Sequence, residues 1–165
     1  MTIFGKSVSE YIEFARLFLG LILLVGAVRL LLSLAGMPNA TVKWFSLTAA
    51  AWIGVLYYAV RVHTSGFGSY RHLLPIYLLM SLTAQIIVIP AIVIAILSGS
   101  NNIYTAPEYS LGEDGKTWGH AAAHLFVGTT IGSGVSWLIG SLVMFLTRKL
   151  RTGEATAPAN QLSSE

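Results

Sequence analysis

Apolar residues gather into four long runs, and the breaks between them are charged or rich in turn residues. The first run covers residues 14–34 and holds Arg29 within its last two turns. The second covers residues 44–60, between Lys43 and Arg61. The third covers residues 73–97, with Gln85 as its polar residue and Pro90 expected to kink it. The fourth covers residues 120–147 and is stopped by Arg148, Lys149 and Arg151. A helix crosses hydrocarbon in about 20 residues, so each run predicts a membrane span; the second is at the short limit. Lys43 and Arg61 extend that run by snorkelling. Local cues place the ends. Ser7-Val8-Ser9-Glu10 has the spacing of a capping box ahead of the first span. Gly36-Met37-Pro38-Asn39 reads as a turn, and Pro75 suits a first helical turn, where its missing N–H costs nothing.

Composition agrees with this pattern. Hydrophobic residues make up 55% of the 165-residue chain and charged residues 10%, where a soluble domain averages about 25% charged. The mean hydropathy is +0.70. So few charges cannot cover a water-soluble surface, and the apolar excess must face lipid. The net charge of +3 is spread over segment ends, which argues against a nucleic-acid surface. The absence of cysteine excludes disulfides, thiolate nucleophiles, Fe–S clusters and zinc–cysteine sites. A signal peptide fits the first run poorly, because Glu10 and Glu13 precede it and Arg29 interrupts it. The expected fold is an all-α integral membrane protein, a bundle of four transmembrane helices over residues 1–151. Residues 152–165, polar and alanine-rich, are expected to form a disordered cytoplasmic tail.

Four spans put both termini on one side of the bilayer. That side carries Lys6, Arg16, Arg61, Arg71, Arg148, Lys149 and Arg151; the other carries Lys43, Lys116 and Arg29. Basic residues favour the cytoplasm, so both termini are expected there, in a bacterial inner membrane. The long loop of residues 98–119, with Glu108, Glu113 and Asp114, then lies outside.

Few residues carry chemistry. His120, His124, Gly128, Gly132, Ser136 and Gly140 recur at four-residue spacing and so share one helical face. The two histidines are a candidate metal pair, with the acidic loop residues as further ligands. The glutamate of the His-Glu-x-x-His zinc motif is missing. The simpler reading puts His120 at the interface and gives His124 a hydrogen bond inside the bundle. Haem held by two histidines within the chain is disfavoured, since His63 and His72 belong to the opposite membrane face. No cofactor is favoured. Gly128, Gly132, Ser136 and Gly140 form a smooth helix-packing face. Arg29 and Gln85 are the intramembrane polar residues. An unpaired guanidinium in hydrocarbon is costly, so Arg29 is expected to meet a loop carboxylate or lipid headgroups.

These features lead to three function classes. The first expectation is a non-catalytic scaffold, accessory subunit or assembly partner, which contacts the bilayer and another membrane subunit or a second copy. The alternative is a small-solute transporter or permeation protein using Arg29, Gln85 and the His124 face. The second alternative is a metal- or cofactor-binding redox subunit using His120 and His124. A scaffold requires a close-packed interior; a transporter requires a polar cavity near Gln85.

Overall fold

The computed structural model describes residues 2–110 and 114–155, with side chains as far as Arg151. Four helical stretches, Val8–Leu34, Asn39–Thr64, Tyr70–Ser98 and Trp118–Arg151, are long and apolar enough to cross a membrane. The first is helix α1 (Val8–Leu34). The second comprises a single turn, α2 (Asn39–Val42), followed by α3 (Leu47–Thr64). The third is α4 (Tyr70–Ser98). The fourth starts as α5 (Trp118–Ala123), passes through a π-helical segment at His124–Gly128, and continues as α6 (Thr129–Ala155).

The helices begin where side chains can cap them, and these points do not coincide with the ends of the apolar runs. The Ser7 hydroxyl accepts the Glu10 N–H at 3.2 Å, and the Glu10 carboxylate accepts the Ser7 N–H at 2.8 Å. This capping box starts α1 at Val8, as the Ser7–Glu10 spacing predicts, ahead of the apolar run. Ser46 caps α3 through the Ala49 N–H, and Thr117 caps α5 through the His120 N–H. Because α4 starts at Tyr70, Pro75 lies beyond its first turn, contrary to the position expected from the apolar run. Gly99, at φ 72°, ends α4 in the left-handed conformation that lacks a steric penalty only in glycine. At the far end, α6 carries the helix on to Ala155. The rest of the expected tail, residues 156–165, lies outside the described residues, as does Glu113.

One element departs from the all-α expectation. Thr2–Ile3 and Lys6–Ser7 pair as an antiparallel hairpin turned by Phe4 and Gly5, both at positive φ. That backbone matches the tight turns that suit strand twist. The buried His72 ring holds the hairpin: its Nδ1 accepts the Ser69 N–H, so Nε2 carries the proton and donates to the Phe4 carbonyl at 3.2 Å. The Tyr11 hydroxyl donates to the Ile3 carbonyl at 3.0 Å. Apolar periodicity does not reveal a hairpin this short.

Helix α1 packs on α3 and α4, and α6 packs on the same two helices from the other side. Near the hairpin the bundle is dense and aromatic. Tyr11, Phe14, Phe18, Tyr57, Tyr58 and Phe67 form a chain of ring contacts. The Tyr58 hydroxyl donates to the Ala15 carbonyl at 2.7 Å, tying α3 to α1. At the opposite end the loop between α4 and α5 folds down over the helices as a roof. Ile103 is fully buried, and its N–H donates to the Ser33 hydroxyl at 2.8 Å.

Candidate functional site

Small side chains face one another in the roof half of the bundle. Ala51 and Thr48 of α3, Ser81 and Ala84 of α4, and Gly128, Gly132 and Ser136 of the fourth stretch leave space that longer side chains would fill. The result is a cavity of about 570 Å³, within the range of about 300–1,000 Å³ typical of small-molecule sites. Val55, Tyr77 and Met80 form its floor, and Ile103, Tyr104 and Tyr109 of the roof loop lie above.

The cavity gathers the polar residues singled out by the sequence. Arg29 is 8% exposed, and its guanidinium lies over the Tyr104 ring at 5.4 Å and the Tyr109 ring at 5.1 Å. Its Nε hydrogen has no partner. Among the described residues the ion pairs are Lys6–Glu10, Arg16–Glu13 and Lys116–Asp114, and none includes Arg29. Among the described residues the partners of Arg29 are therefore aromatic faces, and neither Glu108 nor Asp114 pairs with it. Rings attract a cation without accepting its in-plane N–H bonds. Gln85 also lines the cavity, and its buried Oε1 has no partner.

Tyr104 is fixed from several directions. Its hydroxyl donates to the Gly26 carbonyl at 3.1 Å, and its N–H donates to Asn102 Oδ1 at 2.9 Å. Asn102 is buried and spends its amide on the Ala91 carbonyl at 2.8 Å, joining the roof to α4. Burial pushes the Tyr104 phenol up to about 12, while the adjacent Arg29 charge pulls it down. The phenol therefore stays protonated at physiological pH and remains a donor to Gly26.

The hydrogen bond expected of His124 is made by His120. His120 Nε2 donates to the Tyr104 carbonyl at 3.2 Å, so it is His120 that bonds within the fold. His124 lines the cavity, and its ring stands edge-on to His120 at 4.8 Å. Among the described residues no three His, Cys, Asp or Glu side chains converge as metal ligands. Glu108 is exposed and Asp114 pairs with Lys116 at 3.5 Å. The π segment starts at His124, where one extra residue per turn widens the helix; such insertions recur at functional sites. The Ser81 hydroxyl donates across to the Gly128 carbonyl at 3.4 Å.

The small-residue face divides into two functions. At Gly140 the Tyr77 ring fills the place of a side chain, with ring atoms 2.7 and 2.8 Å from where a Cβ would stand. At Gly132 the nearest atom is Ser81 Oγ at 3.9 Å, and at Gly128 it is Gln85 Nε2 at 3.5 Å. Gly140 thus allows close contact, whereas Gly128 and Gly132 leave volume.

The cavity also has a side window. α5 and the π segment pack mainly on α4, whereas α6 packs on both α3 and α4. Thr48 and Trp52 on α3, and Gly132 and Val135 on α6, remain exposed beside the cavity. Sequence reasoning did not find Trp52, Tyr104, Tyr109 or Asn102. A usable signal existed: Tyr104 and Tyr109 lie in the loop expected on the same side as Arg29, the one arginine inside an apolar run, and are candidate cation–π partners for it.

Compared with known proteins, the chain matches no family model, no curated protein and no solved structure.

Proposed function

We propose that this chain is an integral membrane protein that binds a small solute in its roof-half cavity, as a carrier or permeation protein. The observation behind this reading is that Arg29, Gln85 and His124, drawn from three different helical stretches, face one cavity of about 570 Å³. A scaffold built on helix contact alone gains nothing from such a space, since an interior void forfeits dispersion contacts along its walls. Scaffold and assembly roles are accordingly second to solute binding here.

The absence of cysteine makes the test clean. Ser136→Cys lies in the cavity wall and Leu142→Cys on the exposed apolar surface. In membranes, a small charged methanethiosulfonate reagent should modify the first and spare the second, because the thiolate forms only where water reaches it. Adding Gly132→Leu should slow the modification of Ser136→Cys by occupying the space between them. Equal resistance of both cysteines would exclude a water-accessible cavity and return the scaffold reading.

The proposed setting is the bacterial inner membrane, with both termini cytoplasmic and the roof loop outside. Its support is the excess of basic residues at the hairpin end. Reporter fusions after Thr152 should be active in the cytoplasm, and fusions within residues 98–119 outside it. The reverse pattern would invert the protein.

A further inference from the structure

Resting on that solute-binding reading, we infer that the ligand is a single-chain carboxylate. Its head lies on Arg29 between Tyr104 and Tyr109, and its chain leaves through the window between α3 and the fourth stretch.

The head assignment follows from Arg29. A guanidinium offers five N–H donors, and a buried charge without hydrogen-bonding partners is strongly disfavoured. Tyr104 and Tyr109 present their faces to it, its buried Nε has no partner, and Arg29 borders the cavity. The guanidinium fork matches the two oxygens of a carboxylate. The Tyr104 ring cannot swing aside, because Gly26 and Asn102 hold it. The anion site is thus built before any ligand arrives.

The body assignment follows from the walls and the window. Below Arg29 the cavity is bordered by Leu47, Trp52, Val55, Met80 and Val88, which suit a hydrocarbon chain. The window beside Thr48, Trp52, Gly132 and Val135 opens where the bundle would meet lipid tails. An amphiphile can therefore enter sideways with its chain never leaving an apolar medium. A single chain suits the volume. A phosphodiester headgroup would bring several more oxygens into a site whose other polar groups are Gln85, His124 and short hydroxyls.

The experiment counts ligands by native mass spectrometry of the full chain released from neutral maltoside micelles. The probes are laurate, lauryl alcohol, laurylamine and phosphatidylglycerol. Wild type should hold one laurate. Arg29→Gln should weaken laurate by about ten- to a hundredfold, the range for losing a charge-assisted hydrogen bond. Arg29→Lys should fall between, because it keeps the charge and loses the fork; it also serves if Arg29→Gln does not fold. Lauryl alcohol should bind wild type as weakly as laurate binds Arg29→Gln, and laurylamine more weakly still. Gly132→Leu should remove laurate. Equal binding of laurate and lauryl alcohol, both lost in Gly132→Leu, would overturn the carboxylate and leave the solute-binding reading standing. Phosphatidylglycerol displacing laurate would overturn the single-chain assignment in favour of a lipid headgroup. Laurate binding that appears only in Glu113→Gln would show the chain's own carboxylate on Arg29 and overturn the proposal. No adduct with any probe, together with an unreactive Ser136→Cys, would dispose of both readings.

Discussion

Gly140→Leu should lower the thermal unfolding midpoint in detergent by about 6–12 °C, while Gly132→Leu, the same change two turns earlier on the same face, should leave it level or raise it. Gly140 is buried, and the Tyr77 ring occupies the space where its side chain would grow. Tyr77 cannot yield cheaply, since it is 2% exposed and its hydroxyl donates to the Val55 carbonyl at 2.8 Å. A leucine there must part α6 from α4 or break the bond that holds α4 to α3. Overpacking a tight core costs about 1–3 kcal/mol, and four added carbons place this case at the upper end. For a chain of this size each kcal/mol moves the midpoint by about 2–4 °C. At Gly132 the added side chain enters the cavity and gains contacts, and cavity filling commonly adds about 0.5–2 kcal/mol. Equal losses at both positions would mean that the roof half closes on itself in solution and that the cavity is not a standing feature.

The contrast also marks what the sequence could and could not say. Four-residue spacing puts His124, Gly128, Gly132, Ser136 and Gly140 on one face, and that face does turn inward to line the cavity or meet α4. Spacing alone cannot distinguish a glycine that admits a neighbour from one that leaves a hole, because both are simply missing side chains. The difference is made on α4, where the Tyr77 ring fills the space beside Gly140 and the short Ser81 side chain leaves that beside Gly132 open. The four helical stretches were legible for a related reason. Charges and turn residues must leave an apolar run, so the breaks are written in the sequence. The start of α1 was legible in the Ser7–Glu10 spacing, whereas the starts of α3 and α5 were less so, because Ser46 and Thr117 set them by capping hydrogen bonds that the apolar pattern does not mark. Arg29 stood out by its charge, but its partners did not. They sit on a loop whose path is set by side-chain bonds of Asn102, which no hydropathy pattern encodes.

That dependence gives the last prediction. Asn102→Ala should loosen the roof and expose Arg29 while leaving the four helices in place. The substitution strands the Tyr104 N–H, which Asn102 Oδ1 now accepts, and cuts the bond from Asn102 Nδ2 to the Ala91 carbonyl. A buried donor without a partner costs about 1–3 kcal/mol. The Ala91 carbonyl loses a second bond on top of this. The loop can avoid the penalty by lifting off the bundle, since local opening is less costly than unfolding helices that hold their own hydrogen bonds. Tyr104 would then leave the Gly26 carbonyl, and the aromatic faces over Arg29 would part. Hydrogen exchange should therefore speed up by about ten- to a hundredfold at the amides of Ile103, Tyr104 and Thr105, with the centres of α1 and α4 unchanged. Modification of Ser136→Cys should speed up in the same protein, because the roof no longer screens the cavity from water. Exchange that stays slow at Tyr104 would show that the buried Ile103 and its bond to Ser33 hold the roof without Asn102. Exchange that rises through α4 as well would show that the roof and the bundle fold as one unit.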